Sequence, residues 1–416
     1  MLLVGCAVLL LSVLRCTSSL PITNCSEIEG PCWCQNERIY LKVHCEAVNR
    51  EIRFHDSISE ITVEDDEVEE LQPEMFKGIC VKRLILQLSE LKRINESTFE
   101  ELKECLVLLL LMDGKLSKVP INAFKNLNSL RVLSLAGNEI RNVPSLQSLP
   151  LHHLSLASNK ISSLPKDTFP PVLKTLSVTH NHLKTLNESM LHLKDVAWLF
   201  VSSNWLTSLS GELTGMKSLE MLAASNNNIK DLGDSLKNLK KLKYLHLEHN
   251  LIRKLKNGLH SLFNLRSLNL SFNFIRKLYG KEFINLLNLE SLDLSHNQLE
   301  SVGDTFKYTR KLETLILSAN KLYILGSSIR CPNQLGYLDL SKNYLTDLDW
   351  LIETDIYYDD DDDGDDNDID PIIPCKNHVT VRRLFISGNP MQCHSLQKVN
   401  ATISKYKIRI SGLPIC

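Results

Sequence analysis

From Leu289 the chain reads Leu-Glu-Ser-Leu-Asp-Leu-Ser-His-Asn, and an apolar residue returns at Leu299. The same spacing of apolar and polar positions closes on Asn250, Asn273, Asn297, Asn320 and Asn343, a period of 23 or 24 residues. Self-similarity at such a period marks a stacked repeat array. Alternation through Leu292, Asp293 and Leu294 predicts a short half-buried strand, leucines inward and the residue between them outward. Each period contributes one strand, and the strands are expected to pair in parallel as one concave sheet. Phe76, Phe99, Phe124, Phe169, Phe283 and Phe306 recur on the return segments and are expected to fill the core there. Val119-Pro120, Val143-Pro144 and Leu164-Pro165 predict extended or tight convex segments in place of long helices.

Using the asparagine slot as marker gives about fourteen repeats, from Asp66 to Asn389. The first three carry Asp66, Ser89 and Gly114 in the slot, but their leucines stay in phase. The slot amide is expected to bond the backbone of the turn after each strand and to stack with its neighbours as a ladder. A length of 416 residues would ordinarily imply more than one globular domain. A solenoid grows without splitting, because each repeat contacts only its neighbours.

Leu2–Leu14 is an apolar run broken only by Gly5 and Ser12, and small residues follow at Thr17, Ser18 and Ser19. It is shorter than the ~20 residues a membrane span needs. Residues 1–19 therefore read as a signal peptide, although no basic residue precedes the run. The expected division is a leader at 1–19, an N-terminal cysteine cap at 20–57, the array at 58–391 with an acidic insertion at 353–374, and a C-terminal cap at 392–416. The expected location is extracellular, as a secreted protein with no membrane span.

Ten cysteines follow the leader. Cys25, Cys32, Cys34 and Cys45 precede the array; Cys331, Cys375, Cys393 and Cys416 surround its end. An array exposes the apolar core of its terminal repeats, so disulfide-bonded caps are the expected use in an oxidising compartment. A zinc site fits less well, since Cys32-Trp33-Cys34 lacks knuckle spacing and no histidine pair follows. Cys80 and Cys105 occupy the same position in adjacent repeats, one strand spacing of ~4.8 Å apart, within disulfide reach. A Cys80–Cys105 bond is expected; two buried thiols are the alternative.

Nine aspartates crowd residues 359–370, just after Tyr357 and Tyr358. Like charges at that density repel and do not pack. A bond between Cys331 and Cys375 would pin the base of this insertion. It is read as a solvated loop, a binder of a basic partner or of loosely held Ca²⁺, or a site of tyrosine sulfation at Tyr357 and Tyr358. A net charge of −2 argues against a nucleic-acid partner.

Most outward strand positions carry Ser, Thr, Lys or Glu. One group differs: Trp198 and Phe200, then Met221, then Tyr244 and His246, with Trp198, Met221 and Tyr244 in one column. Aromatics exposed on a rigid sheet make binding hot spots. Partial shielding by neighbours or a glycan is the alternative. Ile85, Leu88, Val107, Leu108, Leu110 and Met112 form a second outward apolar group, either another contact or the seat of the N-terminal cap. Sequons for N-glycosylation stand at Asn24, Asn95, Asn187, Asn269 and Asn400. Asn269 points outward, bordering the aromatic group. His180, His249 and His296 share the column before the slot and read as surface histidines, with metal binding or pH sensing as the alternative. No catalytic residue is identified: there is no GxSxG elbow, HExxH or phosphate loop. The chain therefore reads as a non-enzyme with no cofactor and no metal.

These features resemble the extracellular leucine-rich repeat superfamily over nearly the whole chain. The resemblance implies an α/β solenoid, a leucine-rich repeat horseshoe with a parallel concave β-sheet and disulfide caps. Cys25, Cys32, Cys34 and Cys45 are similar to the N-terminal cap, and Gly388-Asn389-Pro390-Met391-Gln392-Cys393 with Cys416 to a C-terminal cap. His394 and Ser395 replace the usual CxC continuation, a shortened ending similar to that of coil-less insect leucine-rich immune proteins. The resemblance implies a binder of an extracellular protein or microbial-surface component in innate immunity, with a homo- or heterodimer of leucine-rich repeat proteins among its partners. The alternatives are an extracellular adhesion or matrix protein, or a horseshoe that inhibits an enzyme.

Overall fold

The structure, a computed structural model, describes residues 58–209, 211–352, 375 and 380–413, with the backbone of 32–37 and 40–45. The expected leader, Asn24, Cys25, Cys416 and the acidic stretch 353–374 with Tyr357 and Tyr358 lie outside the described residues. So do the side chains of Cys32, Cys34 and Cys45. The chain forms two compact units, Met1–Phe200 and Val201–Cys416.

In the first unit, β1 (Cys32–Glu37) and β2 (Tyr40–Cys45) form an antiparallel hairpin. β2 hands on to β3 (Ile58–Glu64) in parallel. β4 (Glu70–Leu71) and β6 (Arg93–Ile94) make a small separate ladder around β5 (Arg83–Gln87). The main sheet continues through β7 (Leu108–Met112), β8 (Val132–Ser134), β9 (His153–Ser155), β10 (Thr175–Ser177) and β11 (Trp198–Phe200). Every pairing from β3 onward is parallel, aligning Ile61, Leu84, Leu109, Leu133, Leu154, Leu176 and Leu199. All of these inward residues are buried. The early repeats thus hold phase through their leucines despite the degenerate slots. Return segments are short, such as the single helical turn α1 (Ile121–Phe124), as the proline-containing segments imply. Phe76, Phe99 and Phe124 form a file behind the sheet, centroids 5.7 and 6.1 Å apart.

The second unit repeats the plan. β12 (Met221–Ala223), β13 (Tyr244–His246), β14 (Ser267–Asn269), β15 (Ser291–Asp293), β16 (Thr314–Ile316) and β17 (Tyr337–Asp339) pair in parallel and in order. β18 (Arg383–Phe385) pairs directly with β17, and β19 (Arg409–Ser411) with β18. Between the last two strands lies α2 (Cys393–Tyr406), which turns Ser395 and Val399 inward. Lys407, in left-handed conformation, ends that helix by donating its N–H to Ile403 and Ser404 carbonyls.

The direct β17–β18 pairing explains the doubled interval before Asn389. Leu345 N–H donates to Asn389 Oδ1 at 3.0 Å, and Asn389 Nδ2 donates to Leu340 O at 2.8 Å, so Asn343 and Asn389 are adjacent rungs. The extra residues are inserted within one repeat. Their flanks are anchored side by side. Arg330 donates to the Trp350 and Ile352 carbonyls at 2.7 Å each, and Cys331 is disulfide-bonded to Cys375.

The slot amides form the ladder in each unit. Asn297 is representative: Nδ2 donates to Leu270 O at 2.9 Å and to Leu294 O and Ser295 O at 3.1 Å, while Oδ1 accepts from Ile275 N–H at 3.0 Å. This lock fixes a turn whose preceding residue has positive φ. His180, Ser203, Asn226, His249, Phe272, His296, Ala319 and Lys342 all lie between 52° and 55°. Such values are uncommon for residues with a Cβ, so the asparagine bonds must outweigh the local strain.

Cys80 and Cys105 are bonded, with Cα atoms 5.6 Å apart. The bond closes a span of 25 residues, for which loop entropy predicts ~3 kcal/mol of stabilisation. The Cys80→Ser, Cys105→Ser double variant is expected to lose about that much in urea unfolding of the first unit. A loss below ~1 kcal/mol would show that the reduced chain is already constrained there.

Candidate functional site

Outward strand positions are set by the pleat: once leucines at alternate positions face the core, the residues between them face away. In the first unit Trp198 and Phe200 lie two apart on β11, both half-buried, beside Thr175 and Ser177 of β10. His153 stands on β9, and its imidazole is held below the ordinary histidine range by burial, then by His152. His152 is lowered by burial first and by Arg131 and Lys174 after it. Both therefore favour the neutral imidazole.

In the second unit Met221 of β12 is the register partner of Tyr244 of β13, and Ala223 that of His246. Met221 and His246 are half-buried; Tyr244 is 42% exposed. Alanine at 223 leaves room beside the His246 ring. His246 Nδ1 lies 3.9 Å from Glu248 Oε2, an ion pair when the imidazole is charged. This is a small amphipathic surface of thioether, phenol and imidazole, able to bury an apolar group and to hydrogen-bond its edge.

The second apolar group is not a free surface. Leu108, Leu110 and Val132 are buried as one cluster, with Ile85 and Met112 packed against it. Leu88 is also buried. Strand alternation reported which way these side chains leave the backbone, but not whether that side was occupied.

Asn95, Asn187 and Asn400 are exposed. Asn269 is half-buried on β14, where its Oδ1 accepts from Ser271 N–H at 2.9 Å and Ser271 Oγ at 2.8 Å. Those contacts leave Nδ2, the atom a glycan would take, uncommitted. Cys393 is disulfide-bonded. Among the described residues no cluster of His, Cys, Asp and Glu could hold a metal. Within them, too, no helix is long and apolar enough to cross a membrane.

Two features escaped the sequence reading. The histidine column is filled by Phe272, which stacks on His249 at 4.2 Å and on His296 at 3.9 Å, planes 13° and 9° apart. The signal was present, because Phe272 precedes Asn273 as the histidines precede Asn250 and Asn297. The other is a cleft of about 650 Å³ lined by Thr314, Asn333, Gln334, Tyr337, Arg382 and Arg383 among others. It forms because β18 pairs with β17 across the inserted stretch, a juxtaposition that sequence distance conceals.

The model of the family described as "Leucine rich repeat" matches residues 150–206, 171–229, 196–252 and 263–322. A second, "BspA type Leucine rich repeat region (6 copies)", matches 46–171. Mouse keratocan is 32% identical over 124 residues, 29% of this chain and 34% of keratocan, so the chain spans about a third of that relative. Among solved structures, a leucine-rich repeat protein of Leptospira interrogans superposes with a TM-score of 0.63 at 23% identity, covering 86% of this chain and 84% of that one. Drosophila Toll, in its complex with Spätzle, superposes with a TM-score of 0.64 at 17% identity, covering 93% of this chain and 66% of that one. The matched segments carry the same rungs that the asparagine ladder defines in the structure, from the degenerate early slots to Asn320. The chain belongs to the leucine-rich repeat superfamily.

Proposed function

We propose that this protein is a secreted recognition module that binds an extracellular protein or a microbial-surface component through outward strand side chains, in innate immunity. It binds and does not catalyse. The observation that carries this reading is the Met221–Tyr244–His246 surface, where a 42% exposed tyrosine stands on a rigid, register-locked sheet. Aromatic anchors of this kind dominate interface energetics. Trp198 and Phe200 offer a similar pair in the first unit. Secretion is supported by the apolar leader read at residues 1–19 and by bonded cysteines, which persist in oxidising compartments. The immune assignment draws on the Toll–Spätzle complex, described as a hub in development and innate immunity, and on the shortened C-terminal cap.

The test compares wild type, Tyr244→Ala with His246→Ala, and Trp198→Ala with Phe200→Ala. Partners captured from native extracellular fluid are identified by mass spectrometry, purified, and titrated. Each double variant is expected to weaken a direct partner by ~10-fold or more, the scale of an interface hot spot. A partner bound equally by all three proteins would move recognition off these strands. A protein deposited in matrix without capturing any fluid or microbial ligand would replace this reading with the adhesion alternative.

A further inference from the structure

The net charge of −2 conceals two opposed blocks. Residues 353–374 carry eleven Asp and Glu and no Lys or Arg, so outside them 47 basic residues face 38 acidic ones. After Asp370 the chain holds seven Lys and Arg and no acid through Cys416. The structure gathers part of that block at one place. Arg382 and Arg383 line the cleft beside β17 and also a second, adjoining one of about 440 Å³ with Tyr406, Lys407 and Arg409. Arg383 and Arg409 are direct register partners on β18 and β19, a strand spacing of ~4.8 Å apart.

All four cations are exposed. None of Arg382, Arg383, Lys407 and Arg409 makes an ion pair or a side-chain hydrogen bond within the described residues. Elsewhere in the array Lys and Arg readily find acids one repeat away, as in Lys92–Glu69, Lys174–Asp195 and Lys243–Glu220. Like charges directly opposite on paired strands are destabilising. Among the described residues no ion pair offsets this concentration of charge, and a local violation of charge complementarity marks a functional surface.

We infer that this double cleft at the C-terminal end of the array binds a sulfated polysaccharide. It is a site separate from the outward aromatic side chains and does not depend on that reading. Arginine presents a planar fork that takes a tetrahedral oxyanion through two parallel hydrogen bonds. A row of such forks fits sulfate groups recurring along a chain. The remaining lining of the larger cleft is neutral and polar: Thr314, Asn333, Gln334 and Thr380 offer hydroxyl and amide groups to sugar hydroxyls. A single carboxylate, Glu313, also lines it.

Other polyanions fit less well. Single-stranded nucleic acid needs free aromatic faces on which bases stack. Here Tyr337 is packed against Phe385, centroids 5.0 Å apart, and Lys405 Nζ covers Tyr406 at 5.0 Å from its centroid. An anionic bilayer needs a basic surface it can lie against, and these cations line recesses.

The experiment titrates the full chain with a heparin dodecasaccharide, the unsulfated heparosan dodecasaccharide and a 20-nucleotide single-stranded DNA. Two variants of equal charge change are compared: Arg382→Ala, Arg383→Ala, Arg409→Ala, and a control triple, Arg253→Ala, Lys254→Ala, Lys277→Ala. Circular dichroism checks that both retain the wild-type fold. Wild type is expected to bind heparin with a salt-dependent affinity and heparosan at least tenfold more weakly. The cleft triple is expected to lose at least tenfold for heparin, the control less than twofold. Equal losses in the two triples would reduce the effect to net charge and overturn the site. Equal binding of heparosan would remove the sulfate requirement, and tighter binding of DNA through the same arginines would replace polysaccharide with nucleic acid. Absence of heparin binding by wild type overturns the inference outright.

Discussion

Asn273→Ala is expected to destabilise the second unit by ~4 kcal/mol. The side chain is 4% exposed, and every polar atom it carries is used. Its Nδ2 donates to Leu247 O at 2.9 Å, Leu270 O at 3.1 Å and Ser271 O at 3.2 Å, and its Oδ1 accepts from Ile252 N–H at 3.0 Å. Two of these four contacts reach the preceding repeat, at Leu247 and Ile252. Alanine leaves the Ile252 amide without an acceptor and takes one of two donors from each of three carbonyls, which keep Asn250 Nδ2 at Leu247 O, Asn297 Nδ2 at Leu270 O and His249 N–H at Ser271 O. The orphaned amide costs ~1–3 kcal/mol, because it surrendered its water on folding, and each of the three lost carbonyl contacts adds ~0.5–1.5 kcal/mol. The amide also holds a turn in which Phe272 sits at φ 53°, so its loss releases a strained conformation. Asn273→Asp should be worse still, keeping the acceptor while facing a charge toward carbonyl oxygens.

Urea unfolding gives the free energy, and amide exchange gives the location. Protection should fall at Ile252 and at Phe274, whose N–H donates to Ile252 O at 2.9 Å. Repeat arrays lose stability locally, because each unit is held only by its neighbours. A change below ~1 kcal/mol, or protection lost uniformly, would mean that the ladder follows the turn and does not fix it.

The ladder was legible in the sequence because it is written in period and identity together. An asparagine recurring every 23 or 24 residues, behind two alternating leucines, leaves one reading. The core phenylalanines were legible for the same reason, and all six are buried. The periodicity also contained the Phe272 stack, since residues one period apart become neighbours about one strand spacing away; only the restriction to histidine hid it. The burial of Leu108 and Leu110 and the cleft beside Arg383 were of another kind. Alternation gives the direction of a side chain relative to its strand, and nothing in it says what meets that side chain. For Arg383, the partner strand Tyr337–Asp339 lies more than 40 residues back along the chain, beyond the reach of the repeat period.

Phe99→Ala is expected to cost the first unit ~4 kcal/mol, within the ~3–5 kcal/mol typical of truncating a buried phenylalanine. Phe99 is 1% exposed and central in its file, between Phe76 at 5.7 Å and Phe124 at 6.1 Å. Removing its ring empties a volume bounded on both sides by rings that belong to other repeats. Neither can move in without abandoning its own seat, so the cavity persists and its cost adds to the lost transfer free energy. Phe99→Leu keeps much of the volume and should cost only ~1–1.5 kcal/mol. The position in the file sets a rank order. Phe76 has one ring neighbour in the file, Phe99, so Phe76→Ala should cost less than Phe99→Ala. The Phe99→Ala, Phe124→Ala double variant should lose less than the sum of its parts by ~1 kcal/mol, because the contact between the two rings is counted in each single loss. Urea titrations of these variants and of Phe124→Ala alone, five proteins against wild type, decide the matter. Equal costs at Phe76 and Phe99 with full additivity would show that each ring is held by its own repeat, and that the file contributes no coupling between repeats.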